Sequence, residues 1–572
     1  MDKAFFHFML VFLFSLQARA QAPQIPPALD PNSIPGRAYS VLAANCASCH
    51  NSILSFGGMG YVLDARQLIT SGRVIPGDAN RSPLYQAIRE NRMPLGTNLG
   101  IPLDNESKRA VQRWINDGAR GFPEVGVAAA PITTTSAELE VIEADLRRVA
   151  SNNRQFMRYV LLNHVSNNVL LSANQRTMMS QAVAKALNSV HWRSAISLPT
   201  PLVDSATVLR IDLRNYDISR NEWESLVANA YPYNSQYTSN SGFDEIQDLA
   251  RSQSPVVRAD WLAQQILQPQ VYSRLIELGD NIEDIEERIG VDAERNIRNG
   301  RVMRLGFRDS GVSFSNRMIE RHQGRFGPYW KSYDFADDDR GVQNIFQNPL
   351  GPEINGGVAG VDERVFQHDG GEMIFALPNG LHGYALTDAA GNYLDVGPTE
   401  IVVDPNRRDN TVTNSVSCFA CHSSGWIRAP DEIRASISNR RNNFSNNARR
   451  AVERLYADEA TIKSTFDRDI EAYRVAVEKL GIIAGAGEPV SMAALSYERD
   501  LDINQVAAEL DLSPDQLRSV IGRNSNLRNI LGRLTNSINS RQRPVISRRD
   551  FERNFSNITR SLRSVQGPRS SD

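Results

Sequence analysis

The sequence predicts a mainly α, multidomain chain with one small β-rich block in its second half. Three observations predict it. Setting aside a 20-residue leader from the 572 residues leaves 552, enough for three or four domains at roughly 150 residues each. Apolar spacing suited to helices recurs on both sides of the block, from Glu138 to Val190 and from Asp431 to Leu480. Between Gly306 and Asp409 that spacing fades while glycine and aromatic residues rise. Hydrophobic residues make up 41% and charged residues 22%, a folding composition that excludes a collagen-like, coiled-coil or wholly disordered chain. The 63 Lys+Arg against 65 Asp+Glu leave −2, so no overall field draws the protein to nucleic acid or to an anionic membrane.

The leader is residues 1–20, MDKAFFHFMLVFLFSLQARA. Lys3 precedes an apolar run from Ala4 to Leu16, and Ala18-Arg19-Ala20 is a small-x-small cleavage site. The run is about 13 residues and a membrane-spanning helix needs about 20, which favours a cleaved export signal over a transmembrane anchor. No cysteine follows the cleavage site to carry a lipid. Residues 21–35 then read as a linker.

The four cysteines form two pentads, Cys46-Ala47-Ser48-Cys49-His50 and Cys418-Phe419-Ala420-Cys421-His422. Cys-x-x-Cys-His is the c-type haem attachment signature. Two thiols three positions apart on a helical turn reach the two haem vinyl groups, and the histidine that follows swings under the iron as proximal ligand. Disulfides, a thioredoxin-type pair or one Cys₄ zinc site would use the same cysteines, but none of them needs a histidine after each pair. Histidine fills only 8 of 572 positions, so accident would place it there twice about 2 times in 10,000. The expected cofactors are two haem c groups, with His50 and His422 as proximal iron ligands. An exported c-type haem protein is expected in a bacterial periplasm.

Residues 36–124 read as the first haem unit. Helices are expected at Arg37 to Asn45, at Asn80 to Glu90 with Pro83 near its start, and at Asn105 to Gly118 with Val111, Trp114 and Ile115 on one face. Met93-Pro94 lies some 40 residues after His50; proline fixes the backbone so that a thioether can point at iron. Met93 is the expected sixth ligand, with Met59 as rival and simple core packing as the bland alternative. Val62-Leu63-Asp64, Pro76-Gly77-Asp78, Ser82-x-Leu84, Met93-Pro94 and Trp114-Ile115-x-x-Gly118-Ala119 together resemble class I cytochrome c modules fused to other domains in bacterial secreted proteins. The resemblance covers about 90 residues and implies a small helical haem domain.

Residues 125–137 are an Ala/Thr/Pro-rich linker, and 138–305 are expected to be a helical domain. Thr207 to Leu213 alternates like a strand within it, and His164 and His191 read as core or surface histidines. Residues 306–430 are the β-rich segment leading into the second pentad. Glu372 to Leu377 and Leu381 to Thr387 flank Pro378-Asn379-Gly380 as a β-hairpin, because Asn-Gly supplies the positive φ of a tight turn. Residues 431–572 form a helical region whose tail after Gly532 holds nine arginines and no lysine. That tail reads as a solvated helix, or as a docking face for an acidic redox partner. Tyr329 to Phe335, Phe366 to Glu372, Leu377 to Leu381, Cys418 to His422 and Tyr497 to Leu501 resemble large multidomain c-type cytochromes of several bacterial groups. That resemblance implies haem binding and no established reaction.

No Met-Pro step follows His422 within 60 residues, so the sixth position of the second haem stays open. His368 or Met492 is the leading candidate, with His382, His322, Met373 or an open position as alternatives. Two strong protein ligands make an electron carrier; an open iron beside an acid, a base and an arginine can cleave an O–O bond. His368, Asp369 and Glu372 with Arg321 or Arg364 could form such a set, or a structural hydrogen-bonded cluster. The expected function is a periplasmic dihaem c-type cytochrome that passes electrons to a soluble redox partner protein, without a stable transmembrane anchor. A dihaem peroxidase or oxidase, and a haem-containing redox sensor of a ligand or partner, are the alternatives.

Overall fold

The computed structural model describes residues 30, 32–47, 50, 59–93, 103–122, 131–168, 171, 173–203, 205–228, 230–238, 240, 242–308, 313, 315–337, 341–355, 357–404, 407, 409–482, 488–535 and 544–566. The expected leader, Cys49 and Pro94 lie outside the described residues.

Polar caps open the N-terminal helices. Ser33, Asp64 and Asp104 accept the backbone N–H groups of Gly36, Gln67 and Ser107, at the starts of helices Ile34–Asn45, Ala65–Thr70 and Asn105–Asn116. Helix Pro83–Arg89 starts on its proline. The first and last of these four helices pack together around a core that includes Leu42, Val62, Leu68, Ile88, Val111, Trp114 and Ile115. Trp114 stacks on Phe122 at 4.1 Å, and its indole N–H donates to the Arg120 carbonyl.

The next region carries a sheet that the sequence reading did not expect. Strands β1 (Met157–Leu161), β2 (Thr200–Leu202), β3 (Ser205–Asp212) and β4 (Val256–Arg258) lie in the order β2-β3-β1-β4. Strand β1 runs antiparallel to β3 and parallel to β4. Further on, β5 (Met303–Phe307), β6 (Arg317–Gln323), β7 (Pro328–Asp334), β8 (Gly370–Ala376) and β9 (His382–Asp388) make an antiparallel meander in sequence order. The β8–β9 hairpin closes where Asn379-Gly380 was expected to turn it, with Gly380 at φ +88°.

Two sheets amid many helices correct the mainly α expectation and its class I cytochrome c-like template: the chain is mixed α/β. The error has a physical source. Strand β1 is central and all five of its residues, Arg158 included, are buried, so inward apolar positions do not alternate with exposed polar ones and periodicity alone cannot tell the segment from a buried helix. The region expected to be a helical domain therefore contains a sheet.

One hydrophobic core takes residues from Leu139 to Leu562, and a second takes residues from Ile297 to Tyr456. Helix Ala173–Asn188 packs on helices Ala259–Ile266 and Pro489–Tyr497, and the latter packs on helix Val416–Cys421, which carries the second cysteine pair. The arginine-rich helix Arg548–Gln566 buries Phe551, Phe555 and Ile558 in the first of these cores. Among the described residues no helix is long and apolar enough to cross a membrane.

His191 illustrates how this core responds to acid. It is 1% exposed, and its Nδ1 accepts from the Arg193 N–H, which requires a neutral ring there. Burial pushes it down to about 4, outweighing the opposing pull of Asp217. A folded-state value below the unfolded one gives stability that is present above pH about 6.5 and is lost as pH falls toward 4, by about 3 kcal/mol in all. Denaturant midpoints are expected to fall between pH 7 and 5, and by visibly less in His191→Gln. Equal pH slopes for the two proteins would contradict this account.

Candidate functional site

The second pentad is held by its neighbours on both sides. Ser415 donates through its hydroxyl to the Leu267 carbonyl at 2.7 Å, and Ser417 to the Asp404 carboxylate at 2.7 Å. These contacts seat helix Val416–Cys421, leaving Cys418 buried, Cys421 half-buried and the two thiols unjoined. Burial pushes Cys418 well above the ordinary thiol value and Cys421 up to about 12. Both thiols are therefore protonated and poor nucleophiles, unlike the exposed low-pKa thiolate of a thioredoxin-type pair.

His422 continues from that helix. Its N–H donates to the Cys418 carbonyl at 2.9 Å, and its Nδ1 lies 3.1 Å from the Gly425 carbonyl. A carbonyl only accepts, so Nδ1 carries the proton and Nε2 keeps the lone pair, as a metal-binding imidazole requires. Gly425 has φ +91°, and a Cβ there would come within 3.0 Å of the Tyr473 ring. Burial pushes His422 below the usual imidazole value, against Glu372.

The first pentad repeats this turn. His50 donates its N–H to the Cys46 carbonyl at 2.8 Å, and its Nδ1 lies 3.1 Å from the Met59 carbonyl. Cys46 and His50 are both buried. The Met59 backbone thus sits at the Nδ1 edge of the ring, away from Nε2, which argues against Met59 as the ligand opposite His50. Met93 is half-buried, with its N–H donating to the Ala87 carbonyl.

Around the second pentad the chain assembles a dense set of aromatic side chains. Tyr384 lies 5.1 Å from Phe419 and 6.1 Å from His422, between ring centroids. His382 stacks on Tyr473 at 4.0 Å and lies 4.6 Å from Trp426, which lies 5.4 Å from Trp330. The Lys185 ammonium stands 5.4 Å from the centroids of both Phe419 and Tyr473 and pairs with Glu488 at 2.8 Å, both charges buried. Burial, then His422 and Lys185 nearby, hold His382 well below the usual imidazole value.

Four polar atoms in this cluster are buried without a hydrogen-bond partner among the described residues: His382 Nδ1, the Tyr384 hydroxyl, Trp426 Nε1 and the Tyr473 hydroxyl. Such groups in native interiors are normally paired with protein, water or a bound group. Buried rings, two adjacent thiols and a histidine whose Nδ1 is held on a carbonyl are the residue types that would hold a covalently attached haem.

The meander sorts the remaining candidates by face. Directly paired residues share a face, so the registers Trp330↔Ile374↔Tyr384 and Ala376↔His382 put Trp330, His382 and Tyr384 on one side. The registers Met318↔Tyr333, His322↔Tyr329↔Phe375 and Lys331↔Met373 put His322 and Met373 on the other. His368 packs at 4.9 Å against Tyr333 on that far side. The sheet thus stands between His368 and His422. Met492 is buried on helix Pro489–Tyr497, where its neighbour Ser491 donates to the Val416 carbonyl at 3.4 Å.

The acid–base set considered from sequence is dispersed. Arg321 is bound to Asp469, Arg364 lies over Phe444, and Asp369 accepts from the Ala336 N–H and the Gln343 amide. Glu372 alone of them approaches the second pentad, and it pairs with Arg317 at 3.4 Å. Sequence reasoning missed Lys185, Tyr384, Trp426 and Tyr473. Only Tyr384 had a legible signal, its two-residue spacing from His382 on a strand.

Compared with protein-family models, with curated proteins and with solved structures, the chain finds no match.

Proposed function

We propose that this is an exported, periplasmic electron carrier that holds two haem c groups, one at Cys46, Cys49 and His50 and one at Cys418, Cys421 and His422. The observation that carries the reading is the repetition of one local design in two unrelated settings. Each pentad histidine donates its N–H back to the carbonyl of the first cysteine and fixes its Nδ1 on a main-chain carbonyl. Such an outer partner selects the tautomer and orients the ring, which is what a proximal imidazole needs and what a disulfide would not need. Haem iron, when bound, cycles between ferrous and ferric forms and so accepts and returns single electrons.

The polypeptide supplies the rest. At the second site Phe419, Tyr384, Tyr473 and Trp426 keep water from the centre, and the buried Lys185–Glu488 pair adds no net charge beside it. A dry site of this kind changes little on oxidation, which favours electron transfer over ligand exchange. A soluble redox protein is the expected partner.

Mature protein is expected to exceed its polypeptide mass by about 1.2 kDa, the weight of two macrocycles, and to take up two electrons in a reductive titration. A mass equal to the bare polypeptide would overturn the proposal.

A further inference from the structure

The second site has a proximal histidine, but the sequence leaves its opposite ligand open among residues scattered along the chain. The meander narrows the choice. His368, His322 and Met373 belong to the far face, away from His422. His382 belongs to the near face, two residues before Tyr384, and the Tyr384 ring centroid lies 6.1 Å from both His382 and His422.

His382 is also built into place. Its ring is clasped between Tyr473 at 4.0 Å and Trp426 at 4.6 Å, and it starts a strand fixed by the hairpin register Ala376↔His382. The residue is 3% exposed, and its Nδ1 has no hydrogen-bond partner among the described residues. A buried imidazole nitrogen left unpaired is costly, and the cost is removed when a bond to it is made. Stiff packing holds this ring in one orientation near a second imidazole, as an axial ligand requires.

We propose that His382 is the second axial ligand of the iron bound at Cys418, Cys421 and His422, so that this centre carries two histidines. The inference rests on the haem reading of the second pentad and adds to it the coordination state.

The test is spectroscopic and uses the full-length, haem-loaded protein. Oxidised wild type is expected to show low-spin ferric signals from both centres by EPR. His382→Ala is expected to convert one of the two to high spin, and added imidazole is expected to restore the low-spin signal. His382→Met replaces imidazole by a thioether and is expected to stay low-spin while the midpoint potential of that centre rises. Intact mass, measured on the same samples, reports haem content separately from ligation. Two haems by mass with a high-spin second centre in wild type, or an unchanged low-spin spectrum in His382→Ala, would overturn the His382 assignment while leaving the two-haem reading in place. Loss of haem from wild type itself would overturn that reading instead.

Discussion

Protein in which Cys418 and Cys421 are both replaced by alanine is expected to carry one haem instead of two, a loss of about 0.6 kDa. The remaining macrocycle is expected on the peptide that contains Cys46 and Cys49. The two centres are separable because their surroundings are: the first pentad lies in a small core of its own, while the second draws its walls from the large core. His422→Ala should behave differently, retaining both thioethers and their mass while losing the proximal ligand and its low-spin spectrum. Intact mass, peptide mapping and an absorption spectrum together distinguish these results. A double-cysteine variant that still weighed two haems would refute attachment at this pentad.

Replacement of Glu509 by alanine is expected to destabilise the large core by about 3–5 kcal/mol, the usual effect of removing one partner from a buried ion-pair network. Glu509 is 6% exposed and accepts from Arg258 at 2.6 Å and from Arg548 at 2.8 and 2.9 Å. Burial alone would raise its carboxyl, but the two guanidinium groups outweigh that and hold it below the usual carboxylate range. Without it Arg548 is left with the Tyr233 hydroxyl and the Tyr497 carbonyl, and Arg258 with Asp260 and the face of the Tyr233 ring. Glu509→Gln keeps the shape and should lose less. Equilibrium denaturation of both variants checks the ordering; an alanine variant as stable as wild type would show that the network contributes little.

What the sequence revealed depended on whether the signal was local. The pentads are contiguous, so they were legible as motifs, and the β8–β9 hairpin was legible because Asn379-Gly380 and the flanking alternation lie within a few residues. Strand β1 was misread because both its faces are buried and its pairing partners, β3 and β4, come dozens of residues later. Around the second pentad the candidate site was legible at its thiols, at the histidine that follows them and at His382. Lys185 and Glu488 meet across 303 positions, and no spacing rule foretells such a pair. His368 stood out because a carboxylate follows it, yet its exclusion depends on strand register, which decides which side chains share a surface and which are parted by the sheet.

The depth of Cys418 has a consequence for biogenesis. Cys418 is only 9% exposed and lies against the helix that begins at Pro489, so its thiol is out of reach of an attachment enzyme once the polypeptide has closed. On the proposed reading, thioether formation would precede closure, with the chain still open while the porphyrin is joined to it. The fold would then complete around the bound group, and a chain that closed first would be left without it.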